Sequence, residues 1–315
     1  LPFMRLQDRT VSNTLMLIWM RSYLSYKYSY SSFLKPRKIT LRFGLKPILT
    51  CLILSSLAIN IVDDVLICTI KYREGYVLNG SLALPKPKED WSLESRKLLP
   101  ICDGLLSVVY ALFTSSLFLF QAMWHHTLKA YVNFSFQGSK ELKVYVAYTF
   151  LSCISYLVLQ FVFQTHPDTS SLAPQILFTV EMMIFLGLSI FNHIRLCYFF
   201  QNPSSIPFIR RYTRYILRTH LCLIFASCLA GPPLLIADLV DYNTPHTELN
   251  HVWLDMLYSL HNYGYSLTLG IMLLAIHPPY HVITKTSPNS VVDGEIYLRN
   301  YKIETCGTSS IPETA

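Results

Sequence analysis

The sequence predicts an all-α fold, a polytopic transmembrane helical bundle, on three observations. Of 315 residues, 52% are hydrophobic and only 14% are charged, well below the roughly 25% charge of a soluble domain. Apolar stretches of about 20 residues, long enough to cross a hydrocarbon core as a helix, recur along the chain. The segments between them alternate between basic and non-basic, the pattern that fixes the orientation of a helical bundle in a membrane.

Six stretches read as clear spans: 48–70, 99–123, 144–163, 174–197, 215–237 and 252–276. Ahead of them Val11 to Met20 is apolar but short. It is either a seventh span at the N-terminus, cut short, or an apolar patch on a cytoplasmic arm. The chain opens on Leu1 rather than Met, which leaves residues upstream of it open. No signal peptide is expected, because basic residues follow Leu15 to Trp19 and no small-residue cleavage site appears. The bundle is assigned to 1–280 and a flexible cytoplasmic tail to 281–315, which is rich in Ser, Thr and Pro from Thr284 onward.

The connecting segments set the orientation. Residues 21–46 carry Arg21, Lys27, Lys35, Arg37, Lys38, Arg42 and Lys46 with no acid, and 198–218 carry Arg210, Arg211, Arg214 and Arg218 with none. Residues 124–143 hold three lysines against Glu141. By contrast 164–173 has no Lys or Arg, and 238–251 holds Asp238, Asp241 and Glu248 without a base. The basic segments are therefore expected in the cytoplasm and the others outside. Segment 71–98, of mixed charge, falls outside and contains the sequon Asn79-Gly80-Ser81, a candidate glycosylation site. A second sequon, Asn133-Phe134-Ser135, falls inside, where it would stay unmodified. Trp91, Trp124 and Trp253 lie near span ends, as interfacial aromatics do.

Composition also excludes function classes. The net charge of +7 is spread in short clusters between apolar runs, so the expected partners are membrane lipids and not nucleic acid. The eight cysteines form no CxxC pair and signal neither a disulfide framework nor a zinc site. No GxSxG, HExxH, P-loop or GxGxxG pattern is present. No enzyme, cofactor or metal is therefore expected. His125-His126 lacks the HxxH partners of a diiron lipid enzyme and reads as interfacial. No internal repeat is visible, which argues against inverted-repeat transporters.

The informative residues are the polar ones inside the spans. Asp63 and Asp64 sit within the first long span, Glu181 within the fourth, Asp103 and Asp255 near the outer ends of theirs, and His261 deep in the last. Ionisable groups in a membrane face a bundle interior or a watery cavity. With no Lys or Arg read at comparable depth, these groups are expected to form an anionic cavity in the outer half, suited to a cationic or hydrogen-bond-donating ligand. Asp103 and Asp255 have a plainer explanation in contact with headgroups or water. Asp63 and Asp64, about 100° apart on a helix, are expected to point at different partners.

Four further features share one pattern. Ser12-Asn13-Thr14-Leu15 has the form of a Gly-Asn-x-Leu-Val segment, and Cys102 opens a span continued by Thr114-Ser115-Ser116. Phe225-Ala226-Ser227-Cys228 has the form FxxC, followed by Pro232 and Pro233, and a basic run from Arg210 to Arg218 leads into that span. On these residues the chain resembles a divergent G-protein-coupled receptor of the rhodopsin-like type. Its ending, with Thr268 and Met272 before His277-Pro278-Pro279-Tyr280, looks somewhat like nematode serpentine chemoreceptors. It departs from the family at His126-Thr127-Leu128, where Asp-Arg-Tyr would stand, at Leu229 in place of Trp, and in lacking Asn-Pro-x-x-Tyr.

The resemblance implies a plasma-membrane receptor that binds a small-molecule or peptide ligand near Asp63, Asp64, Asp103, Glu181 and His261. It implies a hinge at Pro232 and Pro233, and coupling of a heterotrimeric G protein through Arg210, Arg211, Arg214 and Arg218. A multi-pass ion- or proton-coupled transporter or channel using the same carboxylates is the alternative. A membrane lipid enzyme using His125 and His126 is a third.

Overall fold

The computed structural model describes residues 2–28, 45–79, 82–86, 90–130, 140–163, 172–199, 207–243 and 248–279. The tail 281–315 and the sequon at Asn133 lie outside the described residues. Among the described residues the chain is helical apart from one short hairpin.

The first helix, α1 (Pro2–Tyr28), is 27 residues long, about 40 Å at 1.5 Å per residue. It is far longer than the apolar patch from Val11 to Met20. Residues such as Gln7, Arg9 and Thr10 extend the helix without adding hydropathy, so its outer turns were invisible to an apolar-length criterion. Asn13 and Met20, two turns apart, are its buried face.

Helix α2 (Leu45–Glu74) follows. Its buried positions Leu49, Ile53, Ser56, Leu57, Asn60, Asp63 and Asp64 recur every three or four residues and form one stripe. Val62 and Val65 lie off that stripe and are exposed. The helix stops at Gly75, whose φ of 72° only glycine adopts without strain and whose N–H bonds the Lys71 carbonyl at 3.1 Å. Strands β1 (Tyr76–Asn79) and β2 (Leu82–Pro85) then pair antiparallel, from Tyr76↔Pro85 to Asn79↔Leu82.

Ser92 caps α3 (Leu93–Ala130), its hydroxyl accepting from the Ser95 N–H at 3.4 Å. The same residue ties the hairpin down. Glu74 accepts from the Ser92 N–H at 3.0 Å, from the Ser92 hydroxyl at 2.5 Å and from Lys86 at 3.3 Å. Trp91 donates from its ring to the Lys86 carbonyl at 2.8 Å.

The remaining helices are α4 (Lys140–Phe163), α5 (Leu172–Phe199), α6 (Pro207–Ala230), α7 (Pro232–Asn243) and α8 (Glu248–Ile276). Helices α6 and α7 meet at Gly231 as two halves of one rod, so the described residues make seven rods. Helix α1 packs on α2 and α8, α2 on α3, α3 on α4 and α5, α5 on α6, and α6 on α8. The ring is closed by further contact of α8 with α2. In the apolar window of α3, 78% of residues are buried, against 11% for α4, so α3 is the central rod and α4 a peripheral one.

Five of these helices are long and apolar enough to cross a membrane: Leu45–Glu74, Leu93–Trp124, Lys143–Phe163, Leu172–Tyr198 and Arg214–Ala237. The chain is therefore a helical membrane protein. The expected count of six spans plus one is not reached on this measure, since α1 and the stretch 252–276 fall short of it. Both carry polar residues that turn inward, namely Asn13 on α1 and His261, Ser266 and Thr268 on α8.

Mid-bundle, an aromatic layer fills the centre. Tyr110 stacks on Phe178 at 4.4 Å and Phe113 on Tyr265 at 4.5 Å, ring centre to ring centre. At the far end from the hairpin, α1 is joined to the end of α8. The Tyr23 hydroxyl donates to the His277 carbonyl, Lys27 donates to the Pro278 carbonyl, and Thr50 of α2 bonds the His277 ring at 2.8 Å.

Candidate functional site

The polar interior of the half of the bundle nearer the hairpin is built from α1, α2 and α8. The α2 stripe turns Asn60, Asp63 and Asp64 toward α1, and α1 presents Arg9 and Asn13 one turn apart on the facing side. Arg9 ion-pairs with Asp64, and the same guanidinium nitrogen lies 3.8 Å from Asp63 Oδ2. It also donates to Asn60 Oδ1 at 3.3 Å. Asn13 donates to Asp64 Oδ2 at 3.0 Å and accepts from the Ser266 hydroxyl at 2.5 Å. Separately, Ser56 bonds the hydroxyl of Tyr265, a ring of the aromatic layer, at 2.6 Å.

This corrects the expectation of an anionic cavity without a cation. Arg9 lies at the depth of Asp63 and Asp64 because α1 starts at Pro2 rather than near Val11. It also corrects the expectation that neighbouring acids on one helix must have separate partners. A guanidinium at the end of a long side chain serves both. Asp63 is left as the less satisfied acid: it is fully buried, and neither of its carboxylate oxygens accepts a hydrogen bond.

Beside this cluster a cleft of about 40 Å³ opens between α1 and α8, lined by Arg9, Ser12, Asn13, Ser259, Asn262, Tyr263 and Ser266. That volume holds a few waters and not an organic molecule. None of the five residues assigned from sequence to ligand binding lines it.

Those five residues are distributed over four places. Asp63 and Asp64 face Arg9. Glu181 is buried on α5 and accepts from the Tyr156 hydroxyl at 2.9 Å, in a patch with Thr114 and Ser152, which bond at 3.2 Å. Asp103 is half-buried near the hairpin end of α3, one turn from Ser107, whose hydroxyl reaches Gln160 at 2.8 Å. His261 lies across the aromatic layer from Glu181. Its ring meets Phe178 edge-on at 5.6 Å, Phe178 stacks on Tyr110, and Tyr110 lies 6.3 Å from Tyr156.

His261 has a different task from the one the sequence suggested. Pro232 and Pro233 have no N–H to give to the preceding turn. The next N–H, of Leu234, bonds the Gly231 carbonyl at 3.1 Å instead of continuing the α-helical ladder to Ala230. The Ala230 carbonyl is thereby freed, and His261 Nδ1 bonds it. A carbonyl only accepts, so Nδ1 carries the proton. The break is also closely packed. A Cβ on Gly264 would lie 2.5 Å from the Ala230 nitrogen and 2.5 Å from the Leu229 carbonyl carbon. One on Gly231 would lie 2.8 Å from Met182 Cβ.

A second polar layer lies in the half of the bundle opposite the hairpin; Asn192 and His193 stand out in the sequence as polar residues inside a span, but the layer they join does not. Gln121 of α3 donates to Ser189 of α5 and accepts from Asn192 at 2.8 Å. Near it, His193 of α5 and His220 of α6 stack at 5.7 Å, with Trp124 edge-on to His220 at 5.9 Å. Polar residues spread over three separate helices carry no joint local signal, so only the folded arrangement reveals the layer. Of the basic run, Arg214 and Arg218 are exposed one turn apart on α6. Arg210 and Arg211 belong to the same helix, with side chains outside the described residues.

The chain matches no protein-family model, no curated protein and no solved structure. Its function is therefore argued from its own residues.

Proposed function

We propose that the chain is a seven-helix receptor of the plasma membrane, which binds a small extracellular ligand and signals to a heterotrimeric G protein. The observation that carries this is the broken rod α6–α7. Its outer half is joined to its inner half through Gly231, its freed Ala230 carbonyl is held by His261 of α8, and its inner end presents Arg214 and Arg218. A rod with a missing ladder bond bends at that point. A ligand that changes how α7 and α8 pack would tilt α6 and alter what Arg210, Arg211, Arg214 and Arg218 offer to the cytoplasm. Such a ligand acts only by binding one of the two packings better than the other. All seven rods are taken as crossing the membrane, α1 and α8 with their polar residues inward.

The experiment is Pro232→Ala, with surface expression and ligand-independent G-protein signalling measured in the same cells. Restoring one of the two missing N–H groups at unchanged expression is expected to shift basal signalling. Normal signalling at normal expression would remove the hinge from the proposal. An epitope tag ahead of Leu1 that stains intact cells supports seven crossings, and staining only after permeabilisation rules them out.

A second reading rests on Asp63. A buried carboxylate that accepts no hydrogen bond is costly as an anion, and in a membrane such a group often carries a proton or cation. A proton-coupled transporter would lose flux on Asp63→Asn. A receptor would show no flux in either form.

A further inference from the structure

We propose that the cleft between α1 and α8 receives the hydroxyl of a sterol, whose apolar body lies along the lipid-facing seam of the same two helices. The proposal rests on both helices crossing the membrane, and not on what the chain signals to or transports.

The two rods that fall short of an apolar span are the two that flank this cleft. Arg9, Ser12, Ser259 and Asn262 line it, so a patch of donors and acceptors opens among apolar side chains. Tyr263 lines it too and is 55% exposed, which puts the mouth of the cleft on the outer surface of the bundle. Lipid tails offer such groups no hydrogen bond. Arg9 Nε is buried and has no hydrogen-bond partner among the described residues. Buried polar atoms are nearly always satisfied, so the cleft is built for a group that the side chains do not supply.

Size and charge define that group. A volume of about 40 Å³ takes a hydroxyl and a water or two, but no phospholipid headgroup. Arg9 already faces Asp63 and Asp64, so its charge is answered and an anion gains little there. A cation would meet the guanidinium. A neutral hydroxyl both donates and accepts, which matches an Arg N–H beside Ser and Asn side chains that do both.

The apolar body has its own surface. Going away from the hairpin, Ser12 is followed on one face of α1 by Met16 and Trp19, and Tyr263 on one face of α8 by Leu267 and Gly270. Leu267 and Trp19 are both exposed. The seam closes at Gly270, where a Cβ would lie 3.4 Å from Met16 Sδ and 4.0 Å from Trp19 Cζ3. From Ser12 to Trp19 it runs about 10 Å along the helix. It is therefore polar toward the hairpin and apolar toward mid-bundle. A sterol has the same polarity, with one hydroxyl directed at the nearer membrane face and a rigid apolar body directed inward.

The test uses the full chain in cell membranes and a photoreactive, alkyne-tagged cholesterol analogue, with the labelled peptides mapped by mass spectrometry. Labelling within 9–19 or 256–270, competed by free cholesterol, is expected. Cholesterol methyl ether, which cannot donate, should compete roughly tenfold less well, the upper worth of one hydrogen bond. Ser12→Ala with Asn262→Leu should lower labelling of the seam by a similar factor. The ether alters the probe and not the chain, so it tests the hydroxyl even where the double variant fails to fold. Labelling confined to other segments overturns the proposal, as does equal competition by the ether. Equal labelling of the seam by a photoreactive phosphatidylcholine also overturns it, since the seam would then hold bulk lipid. So does a benzophenone amino acid in place of Tyr263 that captures a second protein chain and no sterol. The tag ahead of Leu1 separates the two readings. With the tag outside, absence of labelling removes the sterol and leaves the seven rods standing, whereas a tag inside removes the seam itself.

Discussion

At the scale of single residues, Arg9 decides the character of the half of the bundle nearer the hairpin. One guanidinium faces Asp63 and Asp64 and bonds Asn60, so the region has one cation for two acids. Removing one partner of a buried pair leaves the other charge uncompensated, which costs roughly 3–5 kcal/mol. Arg9→Met is therefore expected to lower thermal stability in detergent by several degrees. Adding Asp63→Asn and Asp64→Asn should recover most of the loss, because no charge then remains buried alone. A single change that leaves the melting temperature where it was would remove the ion pair from the account of stability. Asp63 and Asp64 were legible in the sequence as buried and polar. Their partner was not, because nothing local to Arg9 says that the helix containing it reaches their depth.

At the scale of elements, the break between α6 and α7 shows how far local signals carry. Pro232-Pro233 after Gly231 announces a missing ladder bond, and the structure has the break there. The residue that compensates for it is 31 positions away on another helix, so His261 read only as a polar group in a span. The same contact explains Gly264, whose missing side chain lets α8 lie directly on the backbone of Leu229 and Ala230. Gly264→Ala puts a methyl group into backbone atoms that cannot rotate away. Overpacking of that kind costs about 1–3 kcal/mol, and a lowered melting temperature is expected. Gly104→Ala on α3 is the control, since a Cβ there meets nothing within 4 Å. In a helix that change should be neutral or stabilising by up to about 1 kcal/mol. Equal melting temperatures for the two variants would refute the close packing at Gly264.

At the scale of the molecule, the apolar lengths and the charge alternation carried the fold class. Spans 48–70, 99–123, 144–163, 174–197 and 252–276 each lie within one helix, and 215–237 runs across the break between α6 and α7. What they could not carry is which rods are neighbours. The central place of α3 and the contact of α1 with α8 depend on pairings between distant segments, which leave no trace in a window of 20 residues. Orientation has its own test at this scale. Asn79 ends β1 in the hairpin that Glu74 and Ser92 hold against α2 and α3, and that side is expected outside. Expression in a glycosylating cell should give a band whose mobility shifts on treatment with an N-glycosidase. Asn79→Gln should abolish the shift and Asn133→Gln should leave it. The opposite result would turn the whole bundle over.

The bonds from Tyr23 and Lys27 to the carbonyls of His277 and Pro278 join residues more than 250 positions apart. During synthesis, α1 is made some 250 residues ahead of these acceptors. Asp64 arrives early enough to take Arg9 and Asn13 while the chain is still growing, so α1 and α2 have a polar reason to stay together from the start. The partners of Asn13, Tyr23 and Lys27 on and just beyond α8 come only once every other described helix has been made. The first helix therefore spends most of the chain's synthesis half-partnered, and a chain cut short before α8 would leave it so, marking an unfinished product to whatever surveys the membrane for unpaired polar groups.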